Sequence, residues 1–265
     1  MQHCHKIAIA AGKGGVGKST IAVNLALALA SQGACVGILD ADLYGPSIGK
    51  MLPENRKLVL EDEFLIPAEG HGIYYVSLAH FSLGKKAVIV RAPIANQIIC
   101  DFLNQVRWPC LDFLLIDFPP GTGDIQLTLM QKTSLSGAIL VTTPQEIALL
   151  DVEKAYQMFQ QMQVPILGVV ENMSYLEASP RIYPYGSGGG KKISLQHELK
   201  FFGELPLDPH ISACCDNSES LFEKFPSSIS VGFFNQLAKD VQLSLMERQE
   251  SDRGSKKAFE VVWEN

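Results

Sequence analysis

The chain has no apolar run approaching the roughly 18 residues that a membrane span requires. Residues 21–30 come nearest, but Asn24 interrupts them and they read as a helix. There is no excess of positive charge either. Lys and Arg number 22 against 28 Asp and Glu, a formal net charge of −6. A surface of that sign repels phosphate backbones, so nucleic acid is not an expected partner. The opening stretch MQHCHKIAIAAGKGG lacks the basic start, long apolar core and small-residue cleavage site of an export signal. The six cysteines follow no regular spacing. Without an export signal they are expected to be reduced thiols in a cytoplasm. No repeat of 20–50 residues is present.

What is present is an α/β pattern. Hydrophobic residues make up 47% of 265 residues, enough for one large domain with a sizeable core. Short apolar runs at residues 6–11 (KIAIAA), 36–39, 111–116 (LDFLLI), 138–142 and 166–170 read as strands. Helical stretches separate them, at 18–32, at 146–161 with Ile147, Leu150, Val152, Ala155 and Phe159 as its apolar stripe, and at 229–245. This alternation predicts a single doubly wound, mostly parallel sheet with helices on both faces. Ligands in such folds sit beyond the carboxyl ends of the strands. Residues 44–108 are less regular and read as an elaboration on the sheet. The domain is expected to span 1–250, followed by a short charged tail at 251–265.

The strongest motif is Gly12-Lys13-Gly14-Gly15-Val16-Gly17-Lys18-Ser19-Thr20. It satisfies G-x-x-x-x-G-K-[ST] between a predicted strand and a predicted helix, the context a phosphate loop requires. Its glycines let successive backbone N–H groups turn inward around phosphate oxygens, and the positive helix end adds to that field. Lys18 is placed to neutralise the β- and γ-phosphates, Ser19 to ligate Mg²⁺, and Thr20 to hold the α-phosphate. With Lys13 after the first glycine, the segment resembles the deviant phosphate loop of the MinD/ParA/nitrogenase-reductase class. That resemblance implies that Lys13 reaches across a nucleotide-sandwich dimer to the partner's phosphates, in the manner of an arginine finger.

Acidic residues close the neighbouring strands. Asp40-Ala41-Asp42 follows the second strand, and the same resemblance gives Asp42 the attacking water and Asp40 the magnesium shell. Asp117 ends LDFLLI, the position of a Walker B carboxylate. It opens Phe118-Pro119-Pro120-Gly121-Thr122-Gly123-Asp124, a run suited to sensing the γ-phosphate. Asp124 either belongs to that loop or caps the helix starting near Ile125. Asn172, after the strand at 166–170, offers a donor and an acceptor matching adenine. In the resembling class it reads the base and the Pro206–Asp208 loop lines the other side. A turn-forming role for Asp208 is the alternative.

The blocks DADLYGPSI (40–48), LIDFPPGTGD (115–124), VTTPQ (141–145), GVVENMS (168–174), GSGGG (186–190) and GELPLDP (203–209) resemble the Mrp/ApbC family of iron–sulfur cluster carrier ATPases over roughly residues 5–245. The resemblance implies a Mg²⁺-dependent, ATP-hydrolysing homodimeric switch that carries a [4Fe–4S] cluster between donor and recipient proteins. The alternative is a MinD/ParA-like positioning ATPase acting at a membrane or DNA surface. A third reading is a nucleotide-binding regulator with little turnover. The chain departs from the family in two places. Arg91-Ala92-Pro93 has alanine where the family has glycine. The Cys-x-x-Cys that follows Asn-Met-Ser-Tyr is missing, and no cysteine occurs between Cys110 and Cys214. Thiolates hold such clusters, so the usual site cannot assemble. Cys214 and Cys215 are the remaining local pair, and Cys4 with His3 and His5 is a second metal-catching combination. Cys35, Cys100 and Cys110 read as core. The GSGGG loop, preceding Lys191-Lys192, forms either a second anion site or a connector.

Overall fold

The computed structural model describes residues 4–42, 45–77, 99–100 and 103–258. His3, Arg91-Ala92-Pro93 and residues 259–265 of the expected tail lie outside them. Ten strands are described: β1 (His5–Ala10), β2 (Val36–Asp40), β3 (Val59–Glu61), β4 (Phe64–Ile66), β5 (Ala68–Gly70), β6 (Ile73–Ser77), β7 (Phe113–Asp117), β8 (Gly137–Thr142), β9 (Ile166–Glu171) and β10 (Phe201–Glu204). The helices are α1 (Lys18–Ser31), α2 (Ile48–Met51), α3 (Asp124–Lys132), α4 (Glu146–Gln161), α5 (Gly189–Gln196), α6 (Pro209–Asp216), α7 (Leu221–Lys224) and α8 (Ile229–Ala258).

The main sheet has the order β10-β9-β8-β1-β7-β2-β6-β5 and is parallel except for the edge strand β5. From β1 the chain crosses through α1 to β2, whereas from β8 it crosses through α4 to β9 on the other side. Between β1 and β8 the winding therefore reverses, and an open α/β sheet binds its ligand at such a crevice.

Both faces are buried, which is why the strands are apolar throughout rather than alternating. Ile7, Ile9, Ile38 and Leu115 pack with α1, α2, α6, α7 and α8. Ala8, Ala10, Leu39, Leu114 and Ile116 pack with α3, α4 and α5. The closing helix α8 contributes Phe234, Leu237, Ala238, Val241 and Leu245, as its spacing predicts. It runs on to Ala258, across the position where the tail was expected to begin.

The described part of residues 44–108 elaborates the sheet as expected: β6 pairs in parallel with β2 and β5 closes the edge, while β3 and β4 form a separate hairpin. Two expectations need correction. On α4, Ile147 and Leu150 are 66% and 67% exposed, and the buried face is Ala148, Leu149, Val152, Ala155, Met158 and Phe159. At 3.6 residues per turn Ile147 and Leu150 fall off that face. Cys110 is exposed and Cys35 and Cys100 are half-buried, because Cys35 and Cys110 sit where the chain enters strands, at the rim of the sheet.

Candidate functional site

The carboxyl ends of β1, β7, β2 and β9 bring most of the sequence-nominated residues together. Gly12, Lys13, Gly14, Gly15, Val16 and Gly17 link β1 to α1, whose first residues are Lys18, Ser19 and Thr20. Gly15 and Gly17 have φ of +78° and +87°, a region where a side chain is strained. Gly12 is glycine for a packing reason. A Cβ there would stand 1.9 Å from the Asp151 carbonyl oxygen of α4. Gly14 and Gly15 are exposed, leaving their amides open to a ligand, whereas Val16 is buried and anchors the loop. Thr20 is half-buried, and its carbonyl accepts from Asn24 Nδ2 at 2.9 Å, tying off the polar group that interrupts the apolar helix.

Lys18 is 6% exposed and lies close enough to Asp117 to favour its ionised form. Asp117 is fully buried at the end of β7, in register with Asp40 of β2. Ser19 Oγ donates to Asp117 Oδ2 at 2.5 Å. Asp117 Oδ1 is buried and has no hydrogen-bond partner among the described residues. Burial, opposed by Lys18 and reinforced by Asp40, pushes the Asp117 carboxyl up to about 7. An orphaned carboxylate oxygen costs free energy unless something satisfies it. A hydroxyl and a carboxylate beside a phosphate loop are the hard oxygen donors Mg²⁺ takes, and it ordinarily keeps several waters and phosphate oxygens as its other ligands. The donor set therefore fits Mg²⁺, with Ser19 and Asp117 as the holding residues.

Asp40 has other work. Its Oδ2 accepts from Ser77 Oγ at 2.8 Å and from the Ser47 and Ile48 amides at 3.1 and 3.2 Å, and its Oδ1 accepts from the Asp42 amide at 3.2 Å. Burial leaves its pKa raised, although these donors oppose the shift. Asp40 is thus the buried hub of the loop that carries Asp42. Asp42 is half-buried, accepts from the Gly45 amide at 3.1 Å, and lines a cleft of about 270 Å³ with Pro119, Pro120, Gly123, Asp124 and Gln126.

Gln126, not Asp124, shapes that cleft. Its Nε2 donates to the Pro119 and Pro120 carbonyls at 3.1 and 2.7 Å, and its Oε1 accepts from the Gly123 amide at 2.9 Å. Asp124 is the first residue of α3, with Gly123 at the cap, so its charge complements the helix end rather than capping it. The signal for Gln126 was a glutamine three residues past the cap, the one half of a capping box that a glycine cap allows. Lys13 is half-buried, and its Nζ lies 3.5 Å from Gln145 Oε1, which also accepts from Thr143 Oγ1 at 3.0 Å. In this single protomer Lys13 thus folds back across the β1–β8 crevice.

With that geometry in hand, the comparisons are decisive. The ParA profile described as "NUBPL iron-transfer P-loop NTPase" matches residues 2–242. An iron–sulfur cluster carrier protein of Synechocystis is 45% identical over 244 residues, covering 89% of this chain and 69% of that protein. The nucleotide-binding protein of Archaeoglobus fulgidus, solved with ADP, superposes with a TM-score of 0.71 at 38% identity, over 85% of this chain and 93% of that one. The chain belongs to the NUBPL iron-transfer family. The cell-division ATPase MinD of Pyrococcus furiosus shares the fold, with a TM-score of 0.67 at 22% identity over 91% of this chain and 99% of that one.

As a member of the iron-transfer family, the chain has a further shell of residues at the end of β9. Asn172 is 4% exposed and its Nδ2 donates to the Val16 carbonyl at 2.8 Å. It therefore braces the phosphate loop through one N–H of its amide, and that bond uses neither the second N–H nor Oδ1. Glu171 is fully buried. Its Oε2 accepts from the Gly190 amide at 2.5 Å, while its Oε1 has no partner among the described residues. The positive end of α5 is thereby already occupied by an internal carboxylate. That contact takes the Gly190 amide and favours the connector reading of the GSGGG loop over an anion site. Its last glycines serve close packing, since a Cβ on Gly189 would stand 2.6 Å from the Pro144 carbonyl.

Pro206 is buried between two bridging bonds, Leu205 N–H to the Glu171 carbonyl at 2.8 Å and Leu207 N–H to the Tyr175 carbonyl at 2.7 Å. Asp208 is a helix cap: it accepts from the His210 amide at 2.9 Å, Ser228 Oγ at 3.0 Å and Ser230 Oγ at 2.7 Å. Burial raises its pKa, but Ser230, the His210 amide and Ser228 outweigh this and hold it below the usual carboxylate range. A depressed pKa means stabilisation present above about pH 4 and lost as pH falls through the folded-state value. Asp208→Ala is therefore expected to lower the melting temperature at pH 7 by about 3–6 °C. Scanning calorimetry should show that gap closing as the pH falls below the ordinary carboxylate range. A gap independent of pH would refute the assignment.

The candidate cluster ligands on α6 are poorly placed. Cys214 is 2% exposed inside the core that holds α1 and α8. Burial pushes the Cys215 thiol up to about 11, with the Cys214 thiol adding to the shift. Thiols this reluctant to ionise are weak ligands. This pair reads as packing.

Proposed function

We propose that the chain is a Mg²⁺-dependent ATPase that works as a nucleotide-closed homodimer in delivering iron–sulfur cargo to apoproteins. The observation that carries the nucleotide chemistry is the Ser19–Asp117 pair, with its orphaned buried oxygen, under a phosphate loop at the reversal point of the sheet. The cargo class is taken from relatives that carry iron–sulfur clusters, of which this chain spans about two thirds of the length in most cases.

In this reading the amides of residues 14–18 surround the phosphates and Lys18 balances their charge. Bound Mg²⁺ would draw charge from the β- and γ-phosphate oxygens. Asp42, held by the Asp40 hub, orients the attacking water from its cleft. Lys13 leaves Gln145 and reaches the partner's phosphates. Gln126 keeps the Pro119–Gly123 loop rigid, so that loss of the γ-phosphate is felt as displacement rather than absorbed as local slack.

Light scattering after gel filtration tests the reading. Mass is expected to double with Mg²⁺ and ATP but not with ADP, and Lys13→Ala is expected to bind ATP yet stay monomeric. A chain that hydrolyses ATP without ever doubling would refute the dimeric switch. ATP-dependent co-sedimentation with lipid vesicles or DNA would favour the positioning alternative.

A further inference from the structure

The peptide unit between Val16 and Gly17 is the part of the phosphate loop that covalent geometry constrains least. Glycines flank Val16 on both sides, at φ +78° and +87°, and glycine turns about its φ at little steric cost. A peptide unit with such neighbours can flip. Because it is planar and trans, its C=O and N–H then exchange sides together. Which way the Gly17 N–H points is therefore decided by what holds the Val16 carbonyl.

Asn172 holds it. Its Nδ2 donates to the Val16 carbonyl at 2.8 Å, and the two residues are buried, at 4% and 1% exposure. The approach is so close that a Cβ on Gly17 would stand 2.2 Å from that nitrogen. Gly17 is thus glycine for two reasons, its positive φ and the room it leaves for the amide. The next carbonyl, that of Gly17, accepts from the Ile21 amide at 3.0 Å in the first turn of α1. Two successive carbonyls are tied to the protein in this way, and in a trans unit the N–H lies opposite the carbonyl. The Gly17 and Lys18 amides are thereby turned away from Asn172 and the body of α1, toward the hollow where a phosphate loop takes its anion.

The donor is itself fixed. The Asn172 amide donates to the Thr142 carbonyl of β8 at 2.8 Å, Ser174 N–H donates to the Leu205 carbonyl at 2.9 Å, and Ser174 Oγ donates to the Glu171 carbonyl at 3.0 Å. Between them Met173 sits at φ +56°, a conformation that an ordinary side chain adopts only when its surroundings impose it. The brace is therefore anchored in the ends of β8 and β9 and the segment after β10, not in the loop it shapes. A hydrogen bond to a carbonyl also polarises its peptide unit, which strengthens the opposite N–H as a donor.

We propose that Asn172 is a positioning residue for the phosphates: its hold on the Val16 carbonyl aims the Gly17 amide at them, whether or not a base is attached. The proposal rests on the nucleotide reading and deepens it, since it gives Asn172 a role beyond the base contact that the family resemblance implies. The second N–H and Oδ1 of the same amide are the groups a base would use. One planar group then spans both ends of the nucleotide. Fixing its plane at one end fixes it at the other, so base and phosphates are coupled through it. A polyphosphate without a base should therefore feel the loss of Asn172, and ATP should feel it more.

The test is titration calorimetry of the full chain in Mg²⁺ with ATP and with inorganic tripolyphosphate, which has no base. Two variants are compared, Asn172→Ala and Asn172→Leu, the second keeping most of the buried volume so that the fold is spared. Melting temperatures are recorded alongside. The wild-type chain is expected to bind both ligands. Each variant is expected to bind tripolyphosphate about fivefold more weakly, the effect of one hydrogen bond of average net strength, and ATP about 25-fold more weakly, since the base contact is lost as well. Lower melting temperatures with tripolyphosphate affinity within about twofold of the wild type would reduce Asn172 to packing or base contact, and would overturn the proposal. A wild type that binds ATP but not tripolyphosphate would overturn it too, because the loop would then not be aimed without the base; that outcome needs no variant to fold. A wild type that binds neither ligand would instead sink the nucleotide reading, and this inference with it.

Discussion

Lys18→Ala is expected to weaken ATP binding by about 100-fold, the largest effect of any single substitution at the phosphate loop. The figure follows from removing one charge-assisted contact to a phosphate, worth about 1.5–3 kcal/mol, at about 1.4 kcal/mol per tenfold. The loss has a second source within the protein. Lys18 is the cation that opposes burial at Asp117. Without it the carboxyl holds its proton more firmly and offers Mg²⁺ a neutral oxygen. The apparent affinity for Mg²⁺ in the presence of nucleotide is therefore expected to fall as well. Titration calorimetry with ATP, at fixed and then varied Mg²⁺, measures both. The fold should survive, because Lys18 makes its gains with ligand present and α1 is held by the nine other buried residues it contributes. An affinity within about threefold of the wild type would mean that the phosphates lie elsewhere.

Motifs with local causes were legible in the sequence. The phosphate loop is one, since its glycines answer to backbone geometry that four or five consecutive residues determine. The strands flanking it are another, because burial on both faces leaves continuous apolar runs. Contacts across the chain were not legible. Asn172 braces Val16 over 156 positions, and Lys13 meets Gln145 over 132. Nothing local in the sequence distinguishes these side chains from ones that touch a ligand directly. Asp40 shows the limit most clearly. Its spacing from Asp42 suggests paired roles at a metal and a water, yet its carboxylate is taken up by Ser47, Ile48, Ser77 and Asp42 itself. Glu171 was invisible because its partner is a backbone amide, and an amide carries no residue identity.

Asp42→Ala is expected to leave ATP binding within about threefold of the wild type while reducing turnover by about 100-fold or more, the range of a lost general base or water-orienting group. The separation follows from where Asp42 stands. The described bond of its carboxylate is from the Gly45 amide, and its cleft lies against Pro119 and Pro120. Removing its carboxylate leaves the Ser19–Asp117 hydrogen bond in place and takes away a negative charge that adds to the raised pKa of Asp117. The backbone of the loop should also persist, because Asp40 accepts from the Asp42 amide, which alanine retains. Such a variant should hold ATP and accumulate as the nucleotide-closed dimer, so its mass in light scattering ought to stay doubled long after the wild type has returned to monomer. Parallel loss of binding and turnover would show instead that Asp42 supports the loop structurally. A doubled mass that decays at the wild-type rate would show that another residue orients the water. Asp124, exposed and lining the same cleft, is then the next position to replace.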